Sequence, residues 1–424
     1  MGKILILGAG PAGMMAAVKA AEAGARAILL EKTERVGKKM AITGKGRCNM
    51  TNAASVPEII KNIPGNGAFL NSALRAFDNG DVIAFFEGQG VPTVTERGGR
   101  VFPASSRAAD AVDAMLRRLH ELDVEIRLRE DAKTLSVSDG CIRGVRLSSG
   151  KEIVADAVIV ATGGASYPRT GSTGDGFRMA EAVGHTVEPP TPALVPLETE
   201  EDWPKALSGL SLKNVRIRLW SEDLQEKIGE AFGEMMFTHF GVTGPIVLTL
   251  SRSAAMHLRA HDALPMEIDL KPALDEETLA KRVQRDFEAY KNKQVKNAMV
   301  DLLPARLIAP VLDLAFVDEE KTVNQITRAE RLRVVDTLKR LPLTIARTRP
   351  IDEAIVTAGG VSVRELNPKT MESKLVRGLY FAGEVADVDG FTGGYNLQAA
   401  FSMGAAAGTW AAKNCEMRSV EREV

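Results

Sequence analysis

Residues 3–7 (KILIL) form a short apolar run that passes directly into Gly8-Ala9-Gly10-Pro11-Ala12-Gly13. An Ala- and Met-rich stretch, residues 14–23, then reads as a helix ended by Gly24. A second apolar run over 25–30 ends in Glu31. The order is strand, glycine turn, helix, strand, acid. It leaves few folds open, because a parallel strand pair needs a crossover and the crossover here is a helix. Gly8 permits the tight turn, Gly10 lets backbone amides approach a pyrophosphate, and Gly13 lets the helix pack on the strand. The helix start offers free N–H groups to phosphates. Glu31, about 20 residues beyond the glycines, is placed to accept hydrogen bonds from ribose hydroxyls. Pro11 and Ala12 complete the turn and, with Lys32 after the acid, join the candidate cofactor contacts.

Two more strand ends carry glycine. Residues 158–164 (VIVATGG) put Ala161, Thr162 and Gly163 at the end of an apolar run expected beside the first strand. Residues 379–382 (LYFA) lead into Gly383-Glu384, and a turn containing Gly394 precedes Asn396, Leu397 and Gln398. A small-residue helix is expected over 399–413. A glycine turn with a terminal acid holds either NAD or FAD. The three glycine-ended strands favour FAD, with Gly383-Glu384 at the ribityl chain and the helix near Asn396 aimed at the flavin N1/O2 edge. The basic, glycine-rich loop 38–49 follows the first acid. It supplies Lys39, Thr43, Gly44, Gly46, Arg47, Cys48 and Asn49 as anion or cofactor contacts. Ala132, at the head of a short strand, is a further candidate.

Residues 108–122 have helical spacing, and 124–128, 132–137, 141–147 and 152–154 read as the strands of a small antiparallel meander. A helix is expected over 177–183. Around 188–192 (EPPTP) the texture changes. Strands at 214–220, 227–230 and 266–270, a turn motif at 237–245 and helices at 246–259, 275–290, 304–315 and 329–340 describe an inserted module. The expected division is 1–190 with 345–424 as the cofactor domain and 191–344 as an insert closing over the flavin. Its β part covers about 191–270 and its helical part about 271–344.

The 424 residues suffice for two or three domains at roughly 100–200 residues each. Lys+Arg number 54 against 55 Asp+Glu, which excludes a broad basic surface held by phosphate contacts. Three cysteines (Cys48, Cys141, Cys415) make no disulfide framework or zinc motif, consistent with a reducing, cytoplasmic setting. The apolar stretch 4–18 is broken by three glycines and Pro11 and is followed by Glu22 and Arg26. It is expected to be neither a membrane span nor a signal segment.

The sequence resembles the bacterial BaiN-like (YhiN-type) flavoproteins, described as NAD(P)/FAD-dependent oxidoreductases and in places as aminoacetone-oxidase-like. The resemblance runs nearly end to end. It rests on GAGPAG at 8–13, TGKGRCNMTN at 43–52, GRVFP at 99–103, ATGGASYPRTGSTGDG at 161–176, FTHFGVTGP at 237–245, TAGGV at 357–361, and TMESKLVRGLYFAGEVADVDGFTGGYNLQAAFSMG at 370–404. Lys45 departs from the family's more frequent GGRCN, which touches the local backbone approach. The resemblance implies an α/β fold: a glutathione-reductase-like FAD-binding Rossmann domain with an inserted β-barrel-like plus helical module. It is also similar, more distantly, to fumarate-reductase-type flavoproteins. Hydride transfer through flavin N5 is expected, on a small-molecule substrate, with FAD held non-covalently. No second GxGxxG lies in the insert, so NAD(P)H as reductant would bind transiently near the flavin. His239 and Tyr167 are the candidate catalytic residues, with Arg100 and Arg347 as further substrate-side candidates. The other readings are an RNA-linked flavoprotein, since some tRNA-modifying enzymes share the fold, and a non-catalytic flavin-binding redox sensor.

Overall fold

The computed structural model describes residues 2–423. They form two compact units, Met1–Thr191 with Ile351–Val424, and Pro192–Pro350. The first unit is built on a five-stranded parallel sheet. Its strand order is Leu379–Phe381, Ala157–Val160, Lys3–Leu7, Arg26–Glu31, Glu125–Leu128. Ile4 lies opposite Ala157 on one side and Ala27 on the other. Such strands are buried on both faces, which is why KILIL and AVIV read as continuous apolar runs rather than alternating ones.

The segment 125–128 corrects the sequence reading, which put it in the antiparallel meander. It follows the helix Ala108–Glu121 and pairs in parallel with Arg26–Glu31, as the end of a crossover. Backbone bonds from Arg129 N to Thr33 O and Glu130 N to Glu31 O then extend that edge. The meander is left with Ala132–Ser138, Cys141–Leu147 and Glu152–Val154. Between the first two glycine-rich segments and the long crossover helix lie Val56–Lys61, Asn71–Ala76 and Asn79–Gly88, too short to show a helical period in sequence.

The closing helix, Tyr395–Glu423, begins four residues before the expected start, because Gln398 N already bonds back to Gly394 O. It packs on the first helix, Pro11–Glu22. The contact is set by small residues. A Cβ on Gly404 would lie 2.3 Å from Ala12 O, and one on Gly408 2.1 Å from Ala16 O. A polar lock holds the approach to the last sheet strand. Buried His185 bonds Glu365 through Nδ1 (3.0 Å) and Ser373 Oγ through Nε2 (2.8 Å).

The second unit is a closed six-stranded barrel with helices packed on it. In order around the barrel the strands are Leu197–Thr199, Gly241–Thr243, Lys227–Thr238, Ser211–Trp220, Leu264–Asp269 and Leu341–Thr348. The last strand comes after the helical segment, so the helices end at Lys339 and the first unit resumes at Ile351 rather than at 345. The 237–245 motif is a hairpin, with His239 and Phe240 joining its two strands. Leu250, Leu279, Val283, Leu312 and Leu338 close a second core over the barrel interior. Lys339 Nζ pairs with buried Asp269 at 2.6 Å and also donates to the Lys271 and Leu274 carbonyls, so the buried charge is satisfied. Among the described residues no helix is long and apolar enough to cross a membrane.

Gly408→Ala should lower stability by about 1–3 kcal/mol, since the added methyl meets a backbone carbonyl that cannot give way. Urea unfolding measures it, and an unchanged midpoint would mean the two helices do not touch there. A second expectation concerns pH. Burial depresses the His185 pKa below the ordinary 6.5, more than Glu365 raises it. A depressed histidine stabilises the fold fully above its unfolded pKa. That contribution is lost as pH falls through 6.5 toward the folded value. Unfolding midpoints taken from about pH 7 to 5 should therefore fall more steeply for the native chain than for His185→Gln; equal slopes would contradict it.

Candidate functional site

The turn 8–13 sits where two parallel strands end. Gly8 has a left-handed φ of 97°, and a Cβ there would lie 2.6 Å from Ala161 O. A Cβ on Gly13 would lie 1.9 Å from Gly8 O. Gly10 is different, with nothing within 4 Å of its Cβ position. Its glycine answers to no protein neighbour, and the space beside it is open. Gly10 is also the N-cap of the first helix, and no side chain caps it. Pro11 has no N–H, so the N–H groups of Ala12 and Gly13 stand as the free donors of the first turn.

Glu31 is buried at the edge of this space. Its carboxylate accepts from Ala9 N at 2.9 Å and from Thr33 N at 2.8 Å, which leaves lone pairs for a further donor. Thr162 Oγ1 is buried with no hydrogen-bond partner. Its backbone adjoins Gly8, but the hydroxyl packs against Gly176, whose Cβ would lie 2.3 Å from it, and is closed off from the space beside Gly10. Open space beside Gly10, an uncapped helix start and an acceptor carboxylate form a cradle that fits a dinucleotide.

The loop after Glu31 is tied to the same turn, since Gly37 N bonds Ala9 O at 2.9 Å. It contains the short helix Lys38–Ile42, so only its second half is loop. Lys45 takes φ 59°, a left-handed value costing about 1–2 kcal/mol for a residue with a Cβ, so the departure from glycine is borne by the backbone here. Arg47 stacks on Phe102 at 4.2 Å and pairs with Glu96. Cys48 is fully buried and burial pushes its thiol up to about 12, so it is no thiolate nucleophile. Asn49, with its amide turned to suit its surroundings, donates to Thr51 O and accepts from Gly394 N at 2.9 Å. Thr43 Oγ1 is turned back onto Lys39 O, and Gly46 O accepts from Ala108 N.

Two lysines are committed to acids. Lys32 pairs with Asp175 and Thr173. Burial raises the Asp175 pKa, but the Lys32 and Thr173 hydrogen bonds outweigh it and the net direction is down. Lys39 pairs with Glu384 at 2.7 Å. Glu384 also accepts from Ser166 Oγ (3.0 Å) and Thr357 N (2.8 Å), and Lys39 donates to Ser166 Oγ. Four segments distant in sequence meet on this one carboxylate. Sequence reasoning missed Ser166, Asp175 and Thr357. Ser166 and Asp175 lie inside the 161–176 motif, which was the available signal.

At the closing helix, the Asn396 side chain is spent on its own loop, bonding Gly390 N, Gly390 O and Phe391 O. Its contribution to an incoming anion is therefore the backbone N–H, as for Leu397. Gln398 is buried on Phe77 O and Ser402. Gly163 and Gly383 stand at their strand ends, and Ala132 is buried at the head of the meander, two residues past the bond to Glu31 O. Tyr167 lies in the first unit with φ 52°, followed by the turn Pro168–Thr170. His239 is exposed in the second unit, edge-on to Phe240 at 4.9 Å. Arg100 is paired with Glu96 and Arg347 with Glu198, so both substrate-side arginines already face acids.

Fold and cradle define a flavoprotein oxidoreductase of the FAD-binding Rossmann class. The chain belongs to the family described as HI0933-like protein Rossmann domain, whose model matches residues 2–410. It is 33% identical over 422 residues to a 3-dehydro-bile acid delta(4,6)-reductase of Clostridium scindens, covering 97% of this chain and 100% of that protein. It is 32% identical to a ribosomal RNA dihydrouridine synthase of Escherichia coli, covering 94% and 95%. Among solved structures, a flavocytochrome c3 fumarate reductase in its open conformation is similar in fold. Its TM-score is 0.51 at 18% identity, over 98% of this chain and 78% of that one.

Glu31→Ala should weaken FAD binding by about 1–3 kcal/mol, the cost of charge-assisted hydrogen bonds left unmade. Fluorescence titration of apoprotein measures it. Unchanged affinity would remove Glu31 from the ribose.

Proposed function

We propose that the chain is an FAD-dependent reductase that adds hydrogen across a carbon–carbon double bond conjugated to a carbonyl in a small organic substrate. The observation that carries the flavin half is the cradle of Gly10, the uncapped first helix and Glu31 at one end of a parallel sheet. The bond changed is supported by the relatives' names. A delta(4,6)-reductase and a dihydrouridine synthase act on unlike molecules, yet both names describe saturation of a C=C bond beside a carbonyl.

In this reading the N–H groups of Ala12 and Gly13 bind the pyrophosphate, with Pro11 setting the turn between Gly8, Gly10 and Gly13. Glu31 holds the adenosine ribose, with Lys32 and Ala132 beside the adenosine. The loop from Lys39 through Thr43, Gly44, Gly46, Arg47, Cys48 and Asn49 lines the middle of the cofactor, together with Ala161, Thr162 and Gly163. Gly383 and Glu384 face the ribityl chain. The N–H groups of Asn396 and Leu397 present a positive helix end where negative charge develops, with Gly394 and Gln398 bonded beside them to hold that end in place. Bound FAD supplies the two-electron hydride chemistry. The protein must then add a proton at the second carbon. We assign that proton to His239, with Tyr167 orienting the carbonyl. NAD(P)H is the proposed external reductant.

Anaerobic reduction with NADH or NADPH, followed by reoxidation with a panel of cyclic enones, tests the assignment. A conjugated enone should reoxidise the protein, and a saturated ketone should not. Reoxidation by an rRNA transcript alone would favour a nucleic-acid substrate instead. General acid catalysis is worth roughly 10²–10⁴-fold, so His239→Asn should slow reoxidation by that factor and leave reduction by NAD(P)H intact. Native reoxidation in the variant would return His239 to a structural role.

A further inference from the structure

The second unit carries a side-chain cluster that the flavin reading does not use. Glu222 stands in the turn between the strands Ser211–Trp220 and Lys227–Thr238. His257 is the last residue of the helix Pro245–His257, and His261 follows one turn later. One ligand atom from each of the three lies within 4.8 Å of the others. They border a cleft of about 790 Å³.

Each residue is set for ligation differently. His257 Nε2 is buried and has no hydrogen-bond partner. The same ring makes a hydrogen bond to the Ala263 backbone, which must therefore use Nδ1. A ring that donates through Nδ1 to a backbone carbonyl keeps its Nε2 lone pair unprotonated. This is the tautomer-fixing support that metal-binding histidines carry. His261 Nδ1 lies 3.5 Å from Glu222 Oε1, so imidazole and carboxylate already face each other. A buried acceptor with no donor is a cost to the fold that a bound ligand atom would relieve.

We propose that Glu222, His257 and His261 form a binding site for a divalent transition-metal ion of the zinc class. Two imidazole nitrogens and one carboxylate suit zinc or cobalt, whereas magnesium and calcium call for more oxygen ligands. Three protein ligands leave a fourth tetrahedral position to water. With Glu222, the cleft holds three acids, the others being Asp223 and Glu226, against the two bases Lys227 and Arg252. The two rings now stack at 4.1 Å with planes 8° apart. Ring lone pairs lie in the ring planes, and two parallel planes cannot share one ion. Binding therefore turns the exposed His261 ring out of the stack, while His257 keeps its bond to the Ala263 backbone. It clips the hairpin turn at Glu222 to the end of the helix.

The test uses the full chain, FAD-loaded and free of any histidine tag, stripped with a chelator and then titrated with Zn²⁺ by calorimetry. One ion should bind per chain, with Mg²⁺ failing to compete at equal concentration. His257→Ala and His261→Ala should each weaken binding by roughly 10–100-fold or more. Glu222→Gln, an exposed turn substitution that spares the helix, should weaken it too. His120→Ala, in the other unit, should leave affinity unchanged. An unaltered flavin spectrum in each variant confirms folding. No binding heat in the native chain would overturn the proposal, as would native affinity in Glu222→Gln together with either histidine variant.

Discussion

A Cβ on Gly13 would lie 1.9 Å from Gly8 O, and one on Gly8 would lie 2.6 Å from Ala161 O. Two strand ends and a helix start are held at a spacing that no side chain permits. The rest of the first unit depends on this approach. It brings the uncapped helix start to the sheet's edge, and Glu31 reaches back to Ala9 N across it. It lets the next loop anchor through Gly37 N on Ala9 O. The same helix presents Ala12 and Ala16 to the closing helix, where Gly404 and Gly408 leave room only for backbone. One glycine turn thus fixes the sheet, two helices and the cradle together.

The parts of the fold that were legible in the sequence are those whose signals are local. KILIL, the glycine turn, the second strand and Glu31 occur within one short stretch, and each names its own conformation. The strand at 125–128 was misplaced because its partner, Arg26–Glu31, is about a hundred residues away, and a short apolar run does not declare which neighbour it joins. The barrel strand Leu341–Thr348 was hidden for the same reason, its partners lying on the far side of the helical segment. In the site, Glu384 was readable as an acid after a glycine, but its engagement with Lys39, Ser166 and Thr357 was not, because no spacing links those positions. Asn396 shows the converse, a motif residue whose side chain braces its own loop.

The Glu384 network gives the first unit a second organising point. Lys39 from the basic loop, Ser166 from the third glycine motif and Thr357 after the insert all meet there. A carboxylate that accepts so many donors is fixed in place, and it holds the surrounding loops in one arrangement. The buried His185 lock and the Lys339–Asp269 pair serve each unit separately in the same way, by giving buried polar groups full partners.

The central claim is that the anchor of this protein grips the adenosine diphosphate half of its cofactor, through the first helix and Glu31. Equilibrium binding of FAD and of FMN to the flavin-free protein tests it most directly, because FMN keeps the flavin and lacks that half. The account predicts tight FAD binding and FMN binding weaker by several orders of magnitude. Comparable affinity for the two would contradict it.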